Sequence, residues 1–197
     1  MISVFDYGAG NLRSVQNTLA AIGAQYELVD DAEGLAAARK IILPGVGHFG
    51  QMMRSLDAMR VRGVFVDRIK AGVPFLGICL GLQGLFESSP EAPEVAGLGI
   101  FKGHIERFPA EARVPHMGWN SLEAVRECRL LKGLAPEPYV YFAHSYYAPV
   151  TEQTAAICTY GNPYTAILES ENVFGVQFHP EKSGPLGLKI VKNFVEI

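Results

Sequence analysis

The stretch "PFLGICLGLQGLF" (Pro74–Phe86) decides how the rest of the chain is read. It opens as a short apolar run behind a proline, as a buried strand does (74–78), and continues into residues suited to a short helix, 80–87. At the junction stands Cys79, with Gly77 two residues before it and Gly81 two residues after it. A cysteine that only fills a core does not need glycine on both sides. A sharp strand-to-helix turn that carries a nucleophile does, because neighbouring backbone must pack close beneath it. G-x-C-x-G is the cysteine form of the G-x-S-x-G nucleophile elbow. The start of the following helix also favours negative charge on sulfur. By itself the pentapeptide fits equally well a buried cysteine serving as a small hydrophobe.

Working outward, strand-like and helix-like segments alternate through the first half. "ISVFD" (2–6) is rich in β-formers and runs into the Gly-containing loop "YGAGN". Leu12, Val15, Leu19 and Ile22 then recur at helical spacing, with Gly23 as a stop. "YELV" (26–29) and "KIILP" (40–44) read as strands, and residues 51–59 and 62–71 as helices. This rhythm predicts an α/β fold: a mostly parallel central sheet flanked by helices on both faces. Residues 97–125 and 139–178 instead offer short strands separated by Gly, Pro and Asn, which predicts extra antiparallel strands in the second half. "LLKGL" (130–134) reads as one helical turn, and Leu186, Ile190, Val191 and Phe194 share one face of a closing helix. No linker, repeat or low-complexity segment divides the chain, so a single domain over 1–197 is expected.

Composition narrows the function classes. Apolar residues make up 49% of the 197 and charged residues 19%, enough to bury a real core. The formal net charge is −3 and there is no strongly basic stretch, which argues against a nucleic-acid partner. The N-terminus lacks a basic segment followed by a long apolar one, so no signal peptide is read there. The uncharged run Ala71–Phe86 is broken by Pro74 and four glycines and is short for a bilayer span, so no membrane partner is expected. Cys79, Cys128 and Cys158 form no C-x-x-C pair, and an odd count without framework spacing points to a reducing compartment. A cytoplasmic location follows as an expectation.

A thiolate catalyst needs a base, and the base needs an orienting group. "QFHPEKSG" (177–184) supplies both, with His179 and Glu181 two residues apart. Pro180 biases His179 toward an extended conformation, in which residues i and i+2 point to the same side. Glu181 can then reach the imidazole and fix its tautomer. An exposed loop with a bystander His and Glu would leave the same letters. His144, in the strand-like "YFAHSYY", reads as a structural or pocket-lining histidine, and the histidines show no metal-ligand spacing. "LPGVGHFG" (43–50) ends a predicted strand, and its glycines allow backbone N–H groups to face a ligand. It lacks G-K-[ST] and is no P-loop; beside a nucleophile it can serve an oxyanion.

Taken together and in this order, these elements resemble the class I (triad-type) glutamine amidotransferases. The motifs "GICLG" and "QFHPE" carry that resemblance. "DYGAGNL", "PGVGHFG", "VPHMGWN" (114–120), "YFAHSYY" (141–147) and "HPEKSG" narrow it to the glutaminase subunits of imidazole glycerol phosphate synthase, and it extends over essentially the whole chain. Leu82 stands where the family often has Met, and His48 where it often has a small residue.

The resemblance implies a flavodoxin-like sheet and no cofactor or metal. It also implies Cys79 as nucleophile, His179 as base and Glu181 as orienting acid. It gives the backbone N–H groups of Val46 and Leu80 to the oxyanion hole, and Gly47, Gln83, Ser145 and Tyr146 to binding of L-glutamine. It further implies a (β/α)8-barrel cyclase subunit, paired with the chain as a heterodimer. The cyclase uses the released ammonia to make imidazole glycerol phosphate and AICAR in histidine biosynthesis. Asn11, Met117, Trp119, Tyr141 and Lys182 are the expected docking residues, although local packing would explain the aromatic ones as well. A glutaminase serving another synthase of the same class, or a cysteine hydrolase on a similar fold, are the alternatives.

Overall fold

A computed structural model describes residues 1–9 and 11–197; Gly10 of the "DYGAGN" loop lies outside the described residues. The first half alternates as its sequence predicts. It runs β1 (Ile2–Phe5), α1 (Leu12–Ala21), β2 (Tyr26–Val29), α2 (Ala32–Ala37), β3 (Ile41–Gly45), α3 (Phe49–Ala58), α4 (Arg62–Lys70), β4 (Phe75–Cys79) and α5 (Leu80–Gln83). The helix read over 80–87 is shorter than expected and gives way to turns after Gln83.

Helix α2 carries no clear sequence signal. It is six residues long, contains Gly34, and buries only Leu35. A single apolar contact leaves no periodicity to read. Its start is set instead by Asp31, whose carboxylate accepts the Gly34 N–H at 2.7 Å.

The second half adds β5 (Glu106–Arg107), β6 (His116–Ser121), β7 (Glu123–Ala124), β8 (Tyr139–His144), β9 (Tyr146–Tyr147), β10 (Thr154–Tyr160), β11 (Asn162–Ser170) and β12 (Val173–Val176), then α6 (Gly184–Glu196). The main sheet has the order β2-β1-β3-β4-β12-β11-β10-β7. Strands β10, β11 and β7 are the expected antiparallel additions. Strand β12 is not: it runs parallel to β4, with Val176 opposite Ile78. Its sequence "VFGV" matches both readings, and only the chain's return to the sheet centre decides between them. That return brings the "QFHPE" segment beside Cys79. Two short ribbons, β5–β9 and β6–β8, stand apart from the sheet.

Strand alternation divides the core into two layers. On one face Ile42, Leu76 and Ile78 meet Val15 and Leu19 of α1 and Ile190, Val191 and Phe194 of α6. On the other, Ile41, Leu43 and Phe75 meet Leu35, Met52, Leu56 and Phe65 from α2, α3 and α4. Burying each such side chain contributes roughly 1.5–3 kcal/mol. Both layers pin the carboxyl ends of β3, β4 and β12 together, where an open α/β sheet presents its functional groups.

Candidate active site

Cys79 closes β4 with φ 54° and ψ −104°. A non-glycine residue in that region is strained by about 1–3 kcal/mol, held by surrounding packing. The flanking glycines explain how. A Cβ on Gly77 would lie 2.4 Å from the Gly81 carbonyl oxygen, and one on Gly81 would lie 2.0 Å from the Leu43 carbonyl oxygen. No side chain fits at either place, so the elbow closes only with glycine at both. Helix α5 has four residues, so its dipole adds little. The principal charge beside the sulfur comes from another element.

That element is the segment after β12. His179 is extended, with φ −98° and ψ 95°, as Pro180 dictates. Its Nδ1 lies 2.8 Å from Glu181 Oε1, and both side chains are almost fully buried. Nδ1 therefore carries the proton, and Nε2 is the nitrogen left for chemistry. Burial alone would lower the His179 pKa. Hydrogen bonds to Cys79 and Glu181 outweigh it and push the imidazole up to about 10. The resulting imidazolium stabilises negative charge on the Cys79 sulfur.

Gln177 is a further residue here, with no signal read for it in the sequence. It is fully buried, and its Nε2 points at Cys79 Sγ over 3.6 Å. Its position two before His179 on an extended run would have placed it on the same side.

The loop after β3 brings Val46 and Gly47 to the same cavity as Cys79, Leu80 and His179, a space of about 200 Å³. Leu80 N–H is the first donor of α5 and has no intrahelical partner. Val46 N–H donates to Tyr7 Oη at 3.3 Å, so this group is already engaged. Burial raises the Tyr7 phenol to about 12, which keeps it a neutral partner. His48 caps α3: its Nδ1 accepts the Gly50 N–H at 3.1 Å.

Gln83, Ser145 and Tyr146 line the cavity as well. Gln83 is 3% exposed, and its amide nitrogen donates to Tyr146 O at 2.8 Å and to Gln177 Oε1 at 3.2 Å. Only its oxygen remains for a ligand. Glu91 also reaches the cavity, with Oε2 accepting the Phe49 N–H at 2.7 Å. It lies in the turn-rich "SSPEAPE" stretch, where nothing in the sequence separates it from solvated surface acids.

The five docking candidates do not all stand alike. In the β6–β8 ribbon Trp119 pairs with Tyr141 and Met117 with Ala143, so these side chains share one face. Met117 is 65% and Trp119 54% exposed, and Tyr141 is half-buried, its ring 6.1 Å from that of Trp119. Lys182 is exposed, with Nζ 5.9 Å from the Tyr141 ring centre. Asn11 is half-buried at the start of α1, and its Oδ1 accepts the Ser14 hydroxyl at 2.7 Å. The ribbon is tied to the segment carrying His179: His179 N–H donates to Tyr141 O at 2.9 Å, and Tyr141 N–H donates to Ser183 Oγ at 3.0 Å.

Comparison with known proteins identifies the family and the fold. Residues 3–197 match the Glutamine amidotransferase class-I family. The imidazole glycerol phosphate synthase subunit HisH of Methanothermobacter thermautotrophicus is 48% identical over 198 residues, covering 100% of this chain and 98% of that protein. The subunit of the same name from Desulfitobacterium hafniense (strain Y51) is 46% identical over 196 residues, 98% of this chain and 93% of that one. A crystal structure of a glutamine amidotransferase superposes with a TM-score of 0.78 at 21% identity, over 99% of this chain and 97% of its own, which speaks to the fold. The chain belongs to the class-I glutamine amidotransferase family and, within it, to the HisH subunits of imidazole glycerol phosphate synthase.

Proposed function

We propose that this chain hydrolyses L-glutamine through Cys79, His179 and Glu181 and passes the ammonia to a cyclase subunit. One observation carries the reading: a buried His179–Glu181 pair at 2.8 Å beside a cysteine held at positive φ, all opening on one cavity.

The chemistry follows from the groups present. The Cys79 sulfur, paired with protonated His179, attacks the side-chain amide carbon of glutamine. Negative charge gathers on the carbonyl oxygen, where Leu80 N–H receives it. Val46 N–H joins once it leaves Tyr7; Gly47 beside it, already at φ 94°, lets that peptide turn at low steric cost. His179 delivers its proton to the departing nitrogen, so ammonia leaves and a glutamyl thioester remains. His179, now neutral, takes a proton from water, hydroxide adds to the thioester, and glutamate and the Cys79–His179 ion pair are restored. Glu181 holds the tautomer and balances the imidazolium throughout.

Gly47, Gln83, Ser145 and Tyr146 hold the glutamine. Glu91 is the acidic group available to its α-ammonium, which gives an amino acid an advantage over a simple amide. The exposed face of Met117, Trp119 and Tyr141, with Lys182 at its edge and Asn11 nearby, is the docking surface for a (β/α)8-barrel cyclase. Ammonia handed across that interface avoids protonation in bulk water and reaches the step that makes imidazole glycerol phosphate and AICAR. The chain acts as one catalytic domain in the cytoplasm, without nucleic acid or membrane. Among the described residues no helix is long and apolar enough to cross a membrane.

The test is glutamate formation by the chain alone and with the cyclase subunit and its nucleotide ligand. Weak activity alone and strong stimulation in the complex are expected. Full activity alone, unaffected by the cyclase, would refute the coupling.

A further inference from the structure

His144 lines the cavity, and behind it lie a second histidine and a tyrosine; the hydrolysis uses none of the three. His116 opens β6 and His144 closes β8, and the two residues are paired across the ribbon. Both are buried, and so is Tyr164 of β11. His144 Nδ1 lies 2.9 Å from Tyr146 O, and its Nε2 lies 3.3 Å from Tyr164 Oη. Tyr164 Oη in turn lies 3.2 Å from His116 Nδ1.

Elementary donor and acceptor counting assigns the protons along these three contacts; Tyr164 also neighbours the Cys158 thiol. A carbonyl oxygen only accepts, so His144 Nδ1 carries its hydrogen. Burial lowers the His144 pKa to about 3 and that of His116 to about 4, so both rings are neutral. His144 Nε2 is then a bare acceptor and takes the Tyr164 hydroxyl proton. The Tyr164 oxygen takes the proton of His116 Nδ1. Stacking fixes the far end, with the His116 ring 4.0 Å from that of Tyr160 at an interplanar angle of 9°. At the near end, Tyr146 O receives two donors, His144 Nδ1 and Gln83 Nε2. Both lone pairs of that carbonyl are used, so it makes no contact with substrate itself. What it does is fix the Ser145–Tyr146 backbone between two buried side chains.

We propose that His144 is a positioning residue for glutamine: its Nδ1–H, set in that tautomer by Tyr164, clamps the Tyr146 carbonyl jointly with Gln83 and presents Ser145 and Tyr146 to the substrate. This rests on the cavity being the glutamine pocket. It concerns binding rather than the chemical step, because the hydrogen bonds of His144 go to Tyr146 O and Tyr164 Oη and not to Cys79 or His179.

Two substitutions separate the donated hydrogen bond from simple packing. In His144→Asn the amide nitrogen falls where Nδ1 stood and can still donate to Tyr146 O. In His144→Gln the amide reaches the Nε2 position and leaves that carbonyl with one donor. Glutaminase kinetics in the assembled synthase should show KM raised about threefold to tenfold in His144→Gln, the range of one lost neutral hydrogen bond, with kcat within about twofold. His144→Asn should recover most of that KM. Tyr164→Phe, which keeps the ring and removes the hydroxyl, should raise KM about twofold to threefold and serves if His144→Gln fails to fold. Equal KM in the Asn and Gln variants, or a loss confined to kcat, would overturn the clamp. Nitrogen-15 NMR of the histidine side chains gives a readout free of substrate: the Nδ1–H tautomer is expected for His144, and the Nε2–H tautomer would overturn the proposal. Absence of glutaminase in the unmodified complex would instead remove the pocket assignment and this inference with it.

Discussion

Replacing Glu181 with glutamine removes one charge and almost no volume. The wild-type carboxylate accepts from His179 Nδ1 at 2.8 Å, in a site where both side chains are nearly inaccessible to solvent. The glutamine oxygen can accept the same proton, so the tautomer survives. What goes is the negative charge facing an imidazolium. A hydrogen bond to a charged partner contributes about 1.5–3 kcal/mol where a neutral one contributes about 0.5–1.5. The imidazolium therefore loses about 1–2 kcal/mol, and kcat should fall about fivefold to thirtyfold at 1.36 kcal/mol per decade. His179→Ala removes the proton carrier itself and should cost roughly a thousandfold or more. Stability moves with the same group. The folded pKa of His179, about 10, lies above its unfolded value of 6.5, so its contribution is fully present below pH 6.5 and is lost as pH rises through 10. In Glu181→Gln that loss should be complete about one pH unit earlier. Steady-state glutaminase assays and urea unfolding from pH 6 to 10 read both effects. Unchanged kcat in Glu181→Gln, or damage equal to that of His179→Ala, would refute the roles given to the pair.

Gln83→Ala should raise the KM for glutamine about tenfold and lower kcat much less, since the contact holds in ground and transition states alike; an unchanged KM would move Gln83 out of the substrate site. Tyr7→Phe frees Val46 N–H and should raise glutaminase activity of the isolated chain about threefold to tenfold while reducing the stimulation given by the cyclase; a fall in activity would mean that Tyr7 holds the loop in its working form. Trp119→Ala should weaken cyclase binding about thirtyfold, the effect of losing about 2 kcal/mol at a central aromatic anchor, with glutaminase activity of the isolated chain unaltered; equal affinity by titration calorimetry would place the interface elsewhere.

Most of the first half of the fold was legible in the sequence because its longer helices bury a regular stripe. Val15 and Leu19 in α1 and Met52, Met53 and Leu56 in α3 recur at helical spacing and do enter the core. Helix α2 lacked that pattern, with Leu35 as its one buried residue. Strand β12 was legible as a strand but not as a parallel one, since direction depends on the path between elements rather than on the residues within them. The same limit applies to the site. Cys79, His179 and Glu181 sit in short local motifs whose spacing has a mechanical meaning. Gln177 sits in the same extended run as His179, two residues before it, and its contact with Cys79 was open to the same spacing argument. Glu91 reaches the cavity from a segment with no such pattern, and only the fold of the loop before β5 brings it there. Tyr7 bonding to Val46 joins residues 39 apart, and no reading along the chain would connect them.

The most direct test of the central claim is to trap the covalent intermediate. The chain in complex with its cyclase is mixed with glutamine, quenched in acid within the first turnover, and mapped by peptide mass spectrometry. A glutamyl thioester on the peptide carrying Cys79 is expected, absent in Cys79→Ser, which should also form no glutamate while unfolding like the wild type. Wild-type-like glutamate formation by Cys79→Ser, or a glutamyl group on Cys128 or Cys158 instead, would contradict it.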